Sequence, residues 1–422
     1  MSRDKVLVLL LCLLFVPYGI TASMGGVQSL ALLQSSDQNV LTTPVYEPIG
    51  EVIKGKQFTE LQDAITLYED IARSGQWKFI QEGPLLGHGD VDEQVVQLRD
   101  QLHLLGDIKE NAPFFEPLEL FDLELHEALL VFQKRHGVKA DGILGPQTRR
   151  LLNVLPQQRI AQLLLNISRQ QQLKAIAGKH YLHVNIPEYR LRFYEKDRVL
   201  LDMKTIIGRR TRQTPVFSST VQTLVVNPSW NVPKSIAFRD ILPLWKEDKA
   251  YLSKHNLQVV AGWEIPRVIV PEEQIDTDKM YRGDEYQRLW EPPGVRNTLG
   301  RIKFQIATNN SIYLHDTKKP SLFEADQRAF SSGCIRLEKP RMLADVLVQF
   351  SNRLEPQELD SLFDDVNTHR IRLNKPVELH VTYWTAWLDE NRILNFAEDL
   401  YRHDLVEFDQ QKAERQVGLH LN

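Results

Sequence analysis

One stretch of the chain, SIYLHDTKKPSLFEADQRAFSSGCIRLEKP (residues 311–340), gathers the residue types that nucleophilic acyl chemistry needs. His315 closes an apolar run, and Cys334 follows Ser331, Ser332 and Gly333. A thiol with a reference pKa of about 8.5 is only a few per cent thiolate at neutral pH, so it needs a base. An imidazole within hydrogen-bond reach supplies one, and as imidazolium it also lowers the thiol pKa. Gly333 would let the backbone approach a bound carbonyl closely, and the amides of Gly333 and Cys334 would form an oxyanion hole. Such a hole lowers a barrier by about 3 to 4 kcal/mol, comparable with the base itself. Arg336, two residues on, carries a planar fork that can hold a carboxylate at two points. A papain-like order, with cysteine before histidine, is also available through His369 and His380. That alternative places the nucleophile of a cell-wall amidase or endopeptidase at a helix N-terminus, whereas Leu337-Glu338-Lys339-Pro340 allows only a short turn first. His180 and His183 have a metal-like spacing but no Cys, Asp or Glu partner at useful distance, so no metal and no cofactor are expected.

The surrounding segments are what must position this pair. From Tyr181 the period is that of strands: Tyr181, His183 and Asn185 alternate with Leu182, Val184 and Ile186. Further strand signals fall at Leu191 to Phe193, Val221 to Val225, Ile302 to Ile306, Ile312 to Leu314 and Val377 to Val381. Tyr313 precedes His315 by two, so on a strand both face one side. Residues 234–298 have a different texture, helical from Ile236 to Leu257 and then rich in Trp and Pro, and read as an insertion forming a lid. Trp230, just before it, is either a substrate contact or a core aromatic.

The first half is helical. Leu61, Ile65, Tyr68 and Ile71 recur at helical spacing. Residues 91–155 form a small three-helix bundle: one helix through Val95, Leu98 and Leu102 ends at Gly106, and a second from Leu123 to Arg135 stops at Gly137. A third opens at Gly145-Pro146, with Pro in its first turn. A Gln-rich helical connector then runs to about Ala177-Gly178. The expected division is an export signal at 1–23, a leader at 24–57, a helical scaffold at 58–90 and 156–177, and the bundle at 91–155. The β-rich unit spans 178–410 and a tail 411–422. The fold class is multidomain α+β.

Arg3 and Lys5, the apolar run Val6 to Phe15 and the small residues Thr21-Ala22-Ser23 have the order of a secretory signal. The apolar core is short for a membrane span, although an uncleaved anchor is the other reading. The periplasm is the expected location. Of two cysteines, Cys12 would leave with the signal and Cys334 would remain, which rules out an intramolecular disulfide. The 51 Lys and Arg against 55 Asp and Glu give a charge of -4, without the basic excess that duplex nucleic acid attracts.

Two resemblances sharpen these expectations. LHEALLVFQKRHGVKADGILGPQTRRLLN resembles the peptidoglycan-binding domain that accompanies cell-wall enzymes. His315 with Ser331-Ser332-Gly333-Cys334 and Arg336 resembles the L,D-transpeptidase (YkuD-like) catalytic family. The common form has histidine where this chain has Ser332, and the branch with a binding domain and a lid insertion is similar in using Ser-Ser-Gly-Cys. The likeness continues through RQTPVFSS, NPSWNVPKSI, PPGVRNTLGRIKF and YWTAWLDE. It implies a β-rich catalytic domain with a helical lid, acting on peptidoglycan stem peptides as donor and acceptor. Cys334 would attack the carbonyl between diaminopimelate and D-alanine in a tetrapeptide stem, leaving a thioester. His315 would move the proton, its ring oriented by backbone near Asp316. Arg336, Tyr313, Trp230, Ser331 and Ser332 would contact substrate, and carbapenems would acylate the thiol. A peptidoglycan-binding protein without catalysis is the remaining rival, and it needs neither an exported thiol nor a positioned histidine.

Overall fold

A computed structural model describes residues 58–408, apart from 109–116, 264–265, 285, 308–311 and 352–353. The export signal, the leader and the 411–422 tail lie outside the described residues. Among the described residues, no helix is long and apolar enough to cross a membrane.

The helical half follows its sequence period. Helix Leu61–Ser74 buries Leu61, Ala64, Ile65, Tyr68 and Ile71 and ends at Gly75, whose φ of 67° is left-handed. The bundle consists of helices Glu93–Leu104, Leu123–Arg135 and Pro146–Leu152. Its central device is Gln133, which is 1% exposed. Its Nε2 donates to Asp141 Oδ1, the Ile143 carbonyl and Thr148 Oγ1, while Oε1 accepts from the amides of Asp141 and Gly142. One buried amide thus ties the second helix to the Asp-Gly turn and to the third helix, which explains why those motif elements occur together. The connector is helix Pro156–Ile176.

Strands β1 (His180–Asn185), β2 (Arg190–Glu195), β3 (Arg198–Gly208) and β4 (Phe217–Val226) open the second half. The short strand β5 (Trp230–Asn231) precedes the insertion, which supplies β6 (Gln258–Ala261), β7 (Val268–Val270) and β8 (Arg288–Glu291). After it come β9 (Ile302–Ile306), β10 (Leu314–His315), β11 (Ala329–Ser331), β12 (Ile335–Leu337) and β13 (His369–Thr382), then the hairpin β14 (Ala386–Leu388) and β15 (Leu394–Phe396). The large sheet has the order β11-β3-β12-β10-β9-β4-β13-β1-β2, and β3 also pairs with β2, so the run of strands returns on itself. Residues 198–204 of β3 serve β2, and its last residues serve β12 and β11.

One face of this sheet is the core. Leu224, Phe304, Leu314, Ile335 and Ile371 stand in register on it and pack with Leu343, Ala344 and Leu347 of helix Pro340–Phe350. Residues one step along each strand therefore share the opposite face. That face carries the chemistry.

Two features depart from the sequence reading. The insertion, expected to be helical, has short helices but also three strands that join β5 in a four-stranded sheet, β5-β8-β6-β7, and a core around Trp245, Met280 and Leu289. The β14–β15 hairpin, counted within 178–410, buries Ala386, Leu394 and Phe396 in the helical core beside Tyr68 and Phe132. Arg159 of the connector stacks over Phe396 at 4.2 Å.

Candidate active site

The site is built where β10 and β12 run parallel between β9 and β3. His315 is opposite Arg336 on β12 and opposite Lys303 on β9. Tyr313 and Cys334, two residues before His315 and Arg336, point to the same face. The amide of Ile335 donates to the Tyr313 carbonyl at 3.1 Å, which pins Cys334 beside Tyr313. The Tyr313 side chain reaches the Cys334 thiol and sits with its ring centroid 5.5 Å from that of His315.

The turn carrying Cys334 is held from several sides. Ser331, 2% exposed, donates its hydroxyl to the Cys334 carbonyl at 2.6 Å and accepts from the Gly333 amide at 3.0 Å. Thr214, also buried, donates to the Gly333 carbonyl at 2.8 Å. Gly333 has φ 116°, a conformation that side chains rarely tolerate. The expectation that Gly333 supplies an oxyanion-hole amide is corrected here: its N–H is directed to Ser331 Oγ. Ser331 accordingly acts within the turn, as a brace for the nucleophile. Ser332 Oγ accepts from Arg212 Nη1 at 3.0 Å, and Arg212 forms a two-point ion pair with Asp240 of the insertion. Ser332 thus links the Cys334 turn to the insertion. Arg212, Asp240 and Thr214 were not singled out from sequence; only the RQTP segment pointed towards two of them.

The electrostatics favour a neutral pair at rest. Burial, then the charge of Arg336, pushes His315 down to about 3, while the Asp316 and Leu299 backbone and Lys303 have smaller effects. The Asp316 carboxylate itself accepts from the amides of Arg301 and Thr317. His315 Nδ1 is buried and makes no well-aligned hydrogen bond, so backbone, and no carboxylate, is what lies at that edge of the ring. Burial pushes the Cys334 thiol up, opposed by the Tyr313 backbone and hydroxyl and by Lys303 and Arg336. Burial thus favours the neutral form of each group, thiol for Cys334 and imidazole for His315.

Trp230 is 9% exposed and packs in the core of the insertion. Its indole lies near the Tyr313 hydroxyl without an aligned hydrogen bond. The rival histidines are elsewhere: β13 is separated from β12 by β10, β9 and β4, about 19 Å at ordinary strand spacing. His369 pairs with Asp365 at 2.6 Å, and His380 Nδ1 with Ser218 at 2.8 Å. His180 meets Glu195, and His183 meets Thr382. Among the described residues, no group of three His, Cys, Asp or Glu side chains could hold a metal ion.

Two segments of the chain match known protein families. Residues 179–364 match the family described as "L,D-transpeptidase catalytic domain", and residues 91–152 match "Putative peptidoglycan binding domain". A curated Haemophilus influenzae protein named "Putative L,D-transpeptidase" is 34% identical over 238 residues, 56% of this chain and 47% of that protein. The chain thus spans about half the length of the curated relative it matches. Among solved structures, an L,D-transpeptidase from Mycobacterium smegmatis is 11% identical over 48% of this chain and 58% of its own, with a TM-score of 0.23. One from Stackebrandtia nassauensis is 12% identical over 72% and 96%, also at 0.23. These structural likenesses are too low to carry an argument; the sequence matches stand without them. Residues 179–364 are thus similar to the L,D-transpeptidase catalytic-domain family, and residues 91–152 to the peptidoglycan-binding-domain family.

Proposed function

We propose that this protein is a peptidoglycan L,D-transpeptidase with Cys334 as nucleophile and His315 as general base. The Cys334 sulfur attacks the carbonyl carbon that joins diaminopimelate to D-alanine in a tetrapeptide stem. The thiol proton passes to His315 and then to the departing D-alanine nitrogen, so the S–C bond forms as the C–N bond breaks. A diaminopimelate amine of a neighbouring stem then attacks the thioester. Its N–C bond forms, the C–S bond breaks, and the amine proton returns through His315 to the thiolate. The product is a direct diaminopimelate–diaminopimelate link. The amide of Cys334 and the Tyr313 hydroxyl would donate to the developing oxyanion.

The observation that supports this reading most is the registered row of His315 and Arg336, which aligns Tyr313 and Cys334 on the face away from the core. A neutral imidazole at physiological pH can accept a proton, and a buried thiol has one to give. Residues 1–23, read as an export signal, would deliver the chain to the envelope, where its substrate lies. Mass analysis of muropeptides after incubating the purified chain with tetrapeptide-stem fragments tests the proposal. The expected result is loss of D-alanine with appearance of the linked dimer. Recovery of unaltered stems, with a reactive thiol, would overturn it.

A further inference from the structure

The row that places His315 extends further along the sheet. Arg370 on β13 is opposite Val225 on β4, Val225 is opposite Lys303 on β9, Lys303 is opposite His315, and His315 is opposite Arg336. Residues in register across strands share a face, so Lys303 and Arg336 flank the histidine as two cations on the reacting side. The Lys303 ammonium lies 3.7 Å from the Tyr313 ring centroid, and that tyrosine touches the thiol. Both cations are half-buried, and among the described residues neither pairs with a carboxylate. The charged neighbours bearing on Lys303 are Cys334 and Arg370; on Arg336 they are Cys334 and Arg209. Burial accordingly pulls both below their ordinary values. Arg336 Nε is moreover buried without a hydrogen-bond partner.

Two partly desolvated cations on either side of one histidine, lacking a carboxylate partner, are costly unless an anion arrives with the ligand. Nucleophilic chemistry does not require both, since one positive neighbour already stabilises a thiolate. A donor stem, by contrast, carries two carboxylates close to the scissile bond. One is the free terminus of the leaving residue and the other is the side-chain carboxylate of the diamino diacid that becomes the acyl group.

We infer that Lys303 is a second carboxylate-binding residue of the donor subsite, acting with Arg336 across His315. Building on the transpeptidase reading above, this assigns a specificity role to Lys303: donors keeping both carboxylates free are selected over donors with one of them amidated. The ammonium, held against the Tyr313 ring, is a point charge that needs no bidentate geometry, while the Arg336 fork suits the two-point partner.

The test uses the full chain and three synthetic tetrapeptides: the unmodified donor, one amidated at the side-chain carboxylate, and one with a C-terminal amide. The wild type is expected to prefer the unmodified donor over each amide by about tenfold or more in kcat/KM, the size of a charged hydrogen bond. In Lys303→Met, which keeps the alkyl stem under the tyrosine ring, the preference against one of the two amides should collapse to about one. Which amide loses its penalty identifies the carboxylate that Lys303 holds. Lys303→Arg should restore the preference, and Lys303→Gln is read the same way if the Met variant does not fold. Unchanged preference ratios, with all three donors slowed together, would overturn the inference and leave Lys303 acting only on the thiol. No turnover of any donor by the wild type, with its thiol still alkylated by iodoacetamide, would sink the transpeptidase reading and this inference with it.

Discussion

Ser331→Ala isolates the brace behind the nucleophile. The Ser331 hydroxyl is buried and satisfies two backbone groups at once, the Cys334 carbonyl at 2.6 Å and the Gly333 amide at 3.0 Å. Removing it leaves a buried donor and a buried acceptor without partners, at roughly 1–3 kcal/mol each. Partial relaxation of the turn reduces that to about 2–4 kcal/mol in total, concentrated at residues 331–335. A nucleophile displaced by about 1 Å loses on the order of a hundredfold in rate. Acylation of the thiol by a tetrapeptide donor should therefore fall by tenfold to a hundredfold, by the same estimate. Faster amide exchange at Ile335, which donates to Tyr313, should accompany it. Stopped-flow acylation and hydrogen exchange read the two effects separately. The competing idea, that Gly333 N–H is an oxyanion donor, predicts the opposite direction, because the substitution would free that amide for substrate. Acylation that is unchanged or faster in Ser331→Ala would refute the brace.

Other consequences follow from the same geometry. His315→Ala should lose about a hundredfold or more in kcat as a missing general base, whereas His369→Ala and His380→Ala should change kcat little; a dead His380→Ala with an active His315→Ala would reverse the assignment. Acid should destabilise the fold, because His183 and His315 are held down at about 3 and His136 well below its ordinary value, all by burial first. Their contribution is complete above pH 6.5 and is lost as pH falls from 6.5 towards 3, at about 2 kcal/mol each by pH 5 for the two near 3. The buried carboxyls of Asp107, Asp316 and Asp404, raised by burial, act in the other sense and soften the slope. Thermal melts at pH 7 and pH 5 measure it, and His183→Gln should flatten the dependence; an identical slope in that variant would contradict the assignment. Asp240→Asn should weaken the link from Arg212 to the lid and raise KM for a stem peptide several-fold while iodoacetamide alkylation speeds up. Equal slowing of both reagents would mean that the pair only supports the fold.

The candidate site was the most legible part of the sequence because it is local. A nucleophile, its glycine and its arginine sit within six residues, and alternation puts Tyr313 beside His315 without knowledge of the neighbours. The bundle was legible for a similar reason: apolar spacing and the Gly106 and Gly137 stops are properties of single helices, and Gln133 merely ties them together. What could not be read is set between segments. Lys303 and Val225 enter the row through the register of β4, β9 and β10, and register depends on pairing that no single strand encodes. Strands of three or four residues in the insertion are too short to show a period, so the part after Leu257 could be read only as rich in Trp and Pro. The return of Phe396 to the helical core is a long-range packing choice of the same kind. Gly333 misled because a glycine before a nucleophile suggests a free amide, whereas a hydroxyl two residues back captures it.

The central claim, that Cys334 carries the acyl group taken from a stem peptide, is tested most directly by intact-mass spectrometry of the full chain mixed with a tetrapeptide donor and quenched in acid within the first turnovers. The account predicts an added mass equal to the donor less D-alanine, mapped by proteolysis to Cys334 and absent from Cys334→Ala. An acylated serine or lysine instead, or product formed at the normal rate by Cys334→Ala, would contradict it.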